Sequence, residues 1–144
     1  MRGQLEGSRE QLAGARNVAR GEFLLALDRN FSDFHDIALR LQNPKWTPMD
    51  SPEGFKLARY MGAVERIGLL VRDGILDLST VETAYGWRIQ WLVRNDTTRK
   101  RLLTMPQAWP ELNRLWRELD AVRQAAGDPC LCPGSSPPPD ALCR

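Results

Sequence analysis

Histidine and cysteine are scarce in this chain of 144 residues: His35 stands alone, and the three cysteines, Cys130, Cys132 and Cys143, crowd into the C-terminal tail. A lone histidine excludes the two-histidine motif of helical zinc peptidases and the paired Glu-x-x-His array of a di-iron bundle. Three thiols in a proline-rich tail fall one short of the usual structural zinc set, so no metal is expected and the cysteines read as free thiols. Placed there, they cannot staple a core as a disulfide framework does, and a reducing cytoplasm fits that usage. Phosphate-binding glycine loops, a G-x-G-x-x-G turn and a G-x-S-x-G elbow are also missing, and no cofactor is expected. The longest apolar runs, Phe23 to Leu27 and Ile67 to Val71, fall far short of the roughly 18 residues of a membrane-spanning helix. Residues 1–20 alternate charge and glycine without the apolar stretch of a secretory signal.

What is present is ordinary for a globular domain: 42% apolar and 26% charged residues, with a net charge of +2. The basic residues are nearly all arginine, with lysine only at Lys45, Lys56 and Lys100, and the acidic residues are interspersed among them. That is a composition bias and not a nucleic-acid signature. The length suits one domain with one core.

The pattern along the chain is helical, with no strand-like alternation and no internal repeat. Residues 1–17 mix Gly3, Gly7 and Gly14 with polar groups and are expected to be a flexible N-terminus. Leu24, Leu27, Phe31, Phe34, Ala38 and Leu41 then recur at spacings of three and four, which predicts a first helix over residues 18–42. Its exposed flank offers Asp36 and Arg40 as an i,i+4 pair. Three prolines and Trp46 make residues 43–52 an ordered loop, and Ser51-Pro52-Glu53 reads as the cap of a second helix. Leu57, Tyr60, Met61, Val64, Ile67, Gly68 and Val71 share its inner face, and Gly74 is placed to end it. Ser79 to Glu82 matches a capping box, so a third helix starts near residue 79, with Asp77 or Ser79 at its start, and runs to Arg94 with an unusually wide apolar arc. Asp96 is set to cap a short helix through Leu103, and a last helix from Pro110 carries Leu112, Leu115, Trp116, Leu119 and Val122 and closes at Gly127. The proline-rich residues 127–144 are expected to be a disordered tail.

Few residues offer chemistry beyond packing. His35 sits between Phe34 and Asp36, but neighbouring helical positions diverge by about 100°, so it reads as a surface histidine. Arg94, Arg99, Lys100 and Arg101 form the densest basic run and are the candidate phosphate contacts, weighed against a plain solvated helix end. Trp46, Trp87, Trp91, Trp109 and Trp116 are mostly accounted for by core filling. Arg88 falls within the apolar arc of the third helix, and a guanidinium facing a core needs a partner. Glu65, at the edge of the second helix's inner face, is the expected one, giving a structural ion pair.

The block Glu65 to Asp77, containing Gly74-Ile75-Leu76-Asp77, followed by Tyr85-Gly86 and Trp91, resembles a bacterial helical domain family of unknown function. In that family a glutamate-bearing helix ends at G-I-[IL]-D and an aromatic-glycine pair opens the middle of the next. The likeness covers about residues 55 to 95. It implies a helical fold and no catalytic residues; members are often tethered by N-terminal membrane helices, which this sequence lacks.

The expectation is therefore an all-α bundle of four or five helices over residues 18–126, working as a non-enzymatic interaction or scaffold module in the bacterial cytoplasm. A protein partner or self-association is expected, with Leu24, Leu27, Phe31, Phe34 and Leu41 as the candidate interface of a homodimer. One alternative is nucleic-acid binding through the Arg94–Arg101 cluster. The other is a peripheral-membrane or partner-helix adaptor presenting exposed aromatic residues.

Overall fold

The computed structural model describes the backbone of residues 2–134, with side chains from residue 4 onward. Every regular element among these residues is a helix: α1 Arg2–Ser32, α2 His35–Leu41, α3 Ser51–Arg72, α4 Leu78–Arg94, α5 Asp96–Thr104 and α6 Pro110–Ala125. The fold is all-α, with six helices where four or five were expected.

Local chemistry sets most helix ends. The Asp50 side chain accepts from the Glu53 N–H at 2.9 Å, while Glu53 reaches back to the Met49 N–H at 3.1 Å. This is a reciprocal cap one residue earlier than Ser51. Asp77, and not Ser79, caps α4, accepting from the Thr80 N–H at 2.7 Å and from the Ser79 hydroxyl at 3.0 Å. Asn95 replaces Asp96 as the cap of α5, and its amide also donates to the carbonyls of Asn43 and Trp46, pinning the 43–50 loop. Gly74 adopts φ 75°, where a side chain would be strained, and the Ile75 and Leu76 N–H groups turn back to the Leu70 carbonyl.

Helices α3 and α6 form the central pair. Gly68 makes their contact possible: a Cβ there would lie 2.6 Å from the Glu111 carbonyl oxygen. Leu57, Tyr60, Met61, Val64 and Ile67 of α3 meet Leu112, Leu115, Trp116 and Leu119 of α6 in one core, which α1, α2 and α4 enclose. Val122, expected inside, is exposed.

Three expectations about the chain's divisions are corrected. Residues 2–17 are helical and continuous with α1, although nearly all the side chains of residues 4–17 are exposed. The glycines counted against a helix there are outnumbered by strong helix formers such as leucine, glutamate, glutamine and arginine. The helix expected over 18–42 breaks at Asp33 and Phe34, where the Phe34 N–H returns to the Phe31 carbonyl at 3.0 Å. Asp36 and Arg40 do not pair with each other; they reach across to Lys56 and Glu53 of α3.

The third correction concerns the tail. Leu131 and Cys132 are buried, and the Leu131 N–H donates to Asp120 at 2.8 Å while its carbonyl accepts from Arg94 Nε at 2.6 Å. The start of the tail is thus docked on α4 and α6, and the disorder expected for residues 135–144 lies outside the described residues. The free-thiol expectation holds for Cys132, whereas Cys130 is disulfide-bonded; Cys143 lies outside the described residues.

Candidate functional site

Glu65 and Arg88 are not brought together. Glu65, half-buried on α3, accepts the N–H of Glu111 at 2.8 Å and that of Leu112 at 2.5 Å, so it caps α6, whose own N-cap residue Trp109 offers no side-chain bond. Burial pushes its carboxyl above the usual range, against the pull of those two N–H groups.

Arg88 finds aromatic partners instead. Its guanidinium lies 4.3 Å from the ring centres of both Phe31 and Trp87 and donates to the Tyr60 hydroxyl at 3.2 Å. The need for a partner was real, and ring faces meet it where a carboxylate was expected. Burial raises Tyr60, and it raises Tyr85 to about 12 with help from Asp28, to which the Tyr85 hydroxyl donates at 3.3 Å. These groups convert a charged crossing into packing.

The basic run is largely absorbed by the fold. Arg94 holds the Leu131 carbonyl, and Arg99 bonds Asp96 at 2.7 Å, the Arg94 carbonyl at 3.0 Å and the Cys132 sulfur at 3.7 Å. Lys45 also donates to Asp96, and Lys45 with Arg99 lowers that carboxyl. Lys100 is exposed and Arg101 half-buried, so the four cations do not form one open phosphate-binding face.

The stripe offered as a dimer interface is likewise used up. Leu27, Phe31, Phe34 and Leu41 are buried in the chain's own core, and Leu24 packs half-buried against it. A self-association surface built on them is therefore corrected: α3 and α4 already cover it. Among the tryptophans, Trp116 is buried, Trp46, Trp91 and Trp109 are partly covered, and Trp87 is the most open, with its ring 4.7 Å from Trp91. His35 is exposed.

The open surface lies elsewhere, along the seam between α1 and α3. A cleft of about 460 Å³ is floored by Leu27, Leu69 and Leu70 with Phe23 at its edge. A second of about 460 Å³ continues it toward Arg16, Arg20 and Asp73, and a third of about 290 Å³ extends the other way to Arg59, Gly62 and Phe34. Phe23 is 41% exposed and Arg16, Arg59 and Arg66 are exposed, so an apolar floor is bordered by cations. Sequence reasoning missed this seam because Ala19, Phe23 and Ala26 lie beside the stripe that the core selects, and periodicity points only to the buried face. The signal available was Phe23 itself, an aromatic off that stripe.

Among the described residues, no group of three metal-ligating side chains converges and no helix is long and apolar enough to cross a membrane. Comparison of the chain with protein-family models, with curated proteins and with solved structures finds no match.

Proposed function

We propose that this protein is a non-enzymatic helical interaction or scaffold module whose working surface is the α1–α3 seam. The observation that carries this reading is the seam's composition: Leu69 and Leu70 left partly open between two helices, next to an exposed Phe23 and to Arg59 and Arg66, which take part in no ion pair among the described residues. An open apolar strip with a polar rim is the usual mark of a protein contact. The polar groups buried elsewhere serve architecture: Glu65 caps a helix, Arg88 fills an aromatic gap, and Asp120 holds the tail.

Of the two alternatives, the partner-helix adaptor shares this seam, while nucleic-acid binding has less support because Arg94 and Arg99 are engaged internally. The likeness of residues 55 to 95 to the bacterial helical domain belongs to the same proposal and concerns the fold alone. A cytoplasmic location is not carried into it, because the disulfide at Cys130 suits an oxidising compartment better.

Affinity capture with the full chain and with a Phe23→Asp, Leu69→Asp variant tests the reading. Proteins retained by the native chain should be lost by the variant at equal helical content. An identical set retained by both removes the seam from the function.

A further inference from the structure

We propose that the α1–α3 seam is a groove for an acidic amphipathic helix supplied by a partner protein; this rests on the interaction-module reading and names the chemistry of the partner. The charge on the seam is one-sided. Arg16, Arg20, Arg59 and Arg66 line successive clefts along it, facing only Asp73 and Glu22 among the lining acids, on a chain whose net charge is +2. The ion pairs of the described residues engage Arg40, Lys45, Lys56, Arg72, Arg99, Arg114 and Arg123, and none involves a seam arginine. Arg20 does donate through Nε to the Ile75 carbonyl at 3.2 Å, and Arg59 lies 5.7 Å from the Phe34 ring centre. The Arg59 contact leaves its charge unneutralised, whereas Arg20 also faces the Asp77 carboxylate, so the uncompensated cations of the seam are Arg16, Arg59 and Arg66.

The shape favours a helix over a bilayer or a nucleic acid. The clefts run alongside α1 from Arg16 to Asn30, roughly 21 Å or four helical turns at 1.5 Å per residue, and reach Phe34 beyond its end. Their floor of Leu27, Leu69 and Leu70 is recessed between two helices, where a ridge of apolar side chains fits and a lipid surface does not enter. Gly62 on the α3 wall has nothing within 4 Å of a Cβ position, which leaves room for a close backbone. An occupant with leucines at i, i+3, i+4 and i+7, flanked by glutamates, would bury its apolar ridge on the floor and pair its carboxylates with the rim.

The test uses the full chain and fluorescent peptides of about 18 residues, each with that leucine ridge, one flanked by glutamate and one by lysine. Fluorescence anisotropy should show binding of the glutamate peptide only, weakening as salt rises. Arg59→Glu with Arg66→Glu should lower that affinity by about tenfold or more and create binding of the lysine peptide. Gly62→Phe should block both peptides sterically. All of these positions are open enough for circular dichroism and thermal unfolding to stay native. Equal binding of the two peptides, or no binding of either, overturns the inference. So does Arg66-dependent binding to phosphatidylserine vesicles without peptide binding, or a dimer in sedimentation equilibrium that Arg66→Glu abolishes. A failure here leaves the capture experiment with Phe23 and Leu69 to decide the broader reading by itself.

Discussion

Glu65 of α3 closes the first turn of α6, its carboxylate accepting the backbone N–H groups of Glu111 and Leu112 forty-odd residues along the chain. Helix starts are ordinarily satisfied by a side chain just before the first turn. Here the cap comes from a neighbouring helix, so it orients α6 on α3 as well as satisfying its end. Arg72, the last residue of α3, strengthens the same junction by pairing with the Glu111 carboxylate.

Glu65→Ala leaves two backbone donors at the start of α6 without their acceptor. We expect a loss of about 1–2 kcal/mol in urea unfolding, in the range of a lost cap, with Glu65→Gln retaining part of it through its amide oxygen. Unchanged stability of the alanine variant would show that water replaces the cap.

Arg88→Ala removes a guanidinium stacked between Phe31 and Trp87 and bonded to Tyr60, which should cost about 2 kcal/mol. Arg88→Lys should not restore it, because an ammonium lacks the flat face. Since Arg88 and Glu65 share no contact, Glu65→Ala and Arg88→Ala should add in the double variant. A coupling well above about 0.5 kcal/mol would restore the ion pair as the better description.

At Gly68 even one methyl group is too much. The added carbon would sit 2.6 Å from the Glu111 carbonyl, an atom fixed in the backbone of α6. Gly68→Ala should therefore destabilise by about 1–3 kcal/mol, as overpacking does, in spite of alanine's better helix propensity. Gly62→Ala, on the open side of the same helix, should be neutral or slightly stabilising, and thermal unfolding of the two variants side by side checks the contrast.

Acid stability should depend on Asp77. Hydrogen bonds from Thr80 and then Ser79 hold its carboxyl below the usual 3.8. A depressed folded-state value means that its contribution is present above the unfolded value and is lost as pH falls through the folded one. Asp77→Asn keeps a competent cap without a titrating group. Its stability at neutral pH should stay close to native, and its loss as pH falls below the ordinary carboxylate value of 3.8 should be shallower. Identical acid limbs for the two proteins would remove Asp77 from the acid transition.

The legible part of this fold is the part written within a few turns of chain. The inner face of α3 from Leu57 to Ile67 followed from periodicity, and Gly74 and Gly127 were recognised as stops and adopt φ of 75° and 77°. Caps were placed within one or two residues: Asp50 for Ser51, Asp77 beside Ser79, Asn95 for Asp96. Those slips have one cause, since adjacent Asp, Ser and Asn side chains compete for the same N–H groups and backbone geometry selects the winner.

By itself the sequence determined that the chain is helical, which faces turn inward, and that Arg88 had to find a partner once it faced a core. Tertiary structure alone decided that Phe31, Tyr60 and Trp87 supply that partner, that Glu65 caps α6, that Leu131 brings the tail back onto α4 and α6, and that the Phe31 stripe is consumed internally while the seam stays open. Helix formation and capping act over a turn of backbone, so neighbours in sequence encode them. Which surfaces meet is settled by how several amphipathic rods share one limited core, and that competition cannot be read from any one of them.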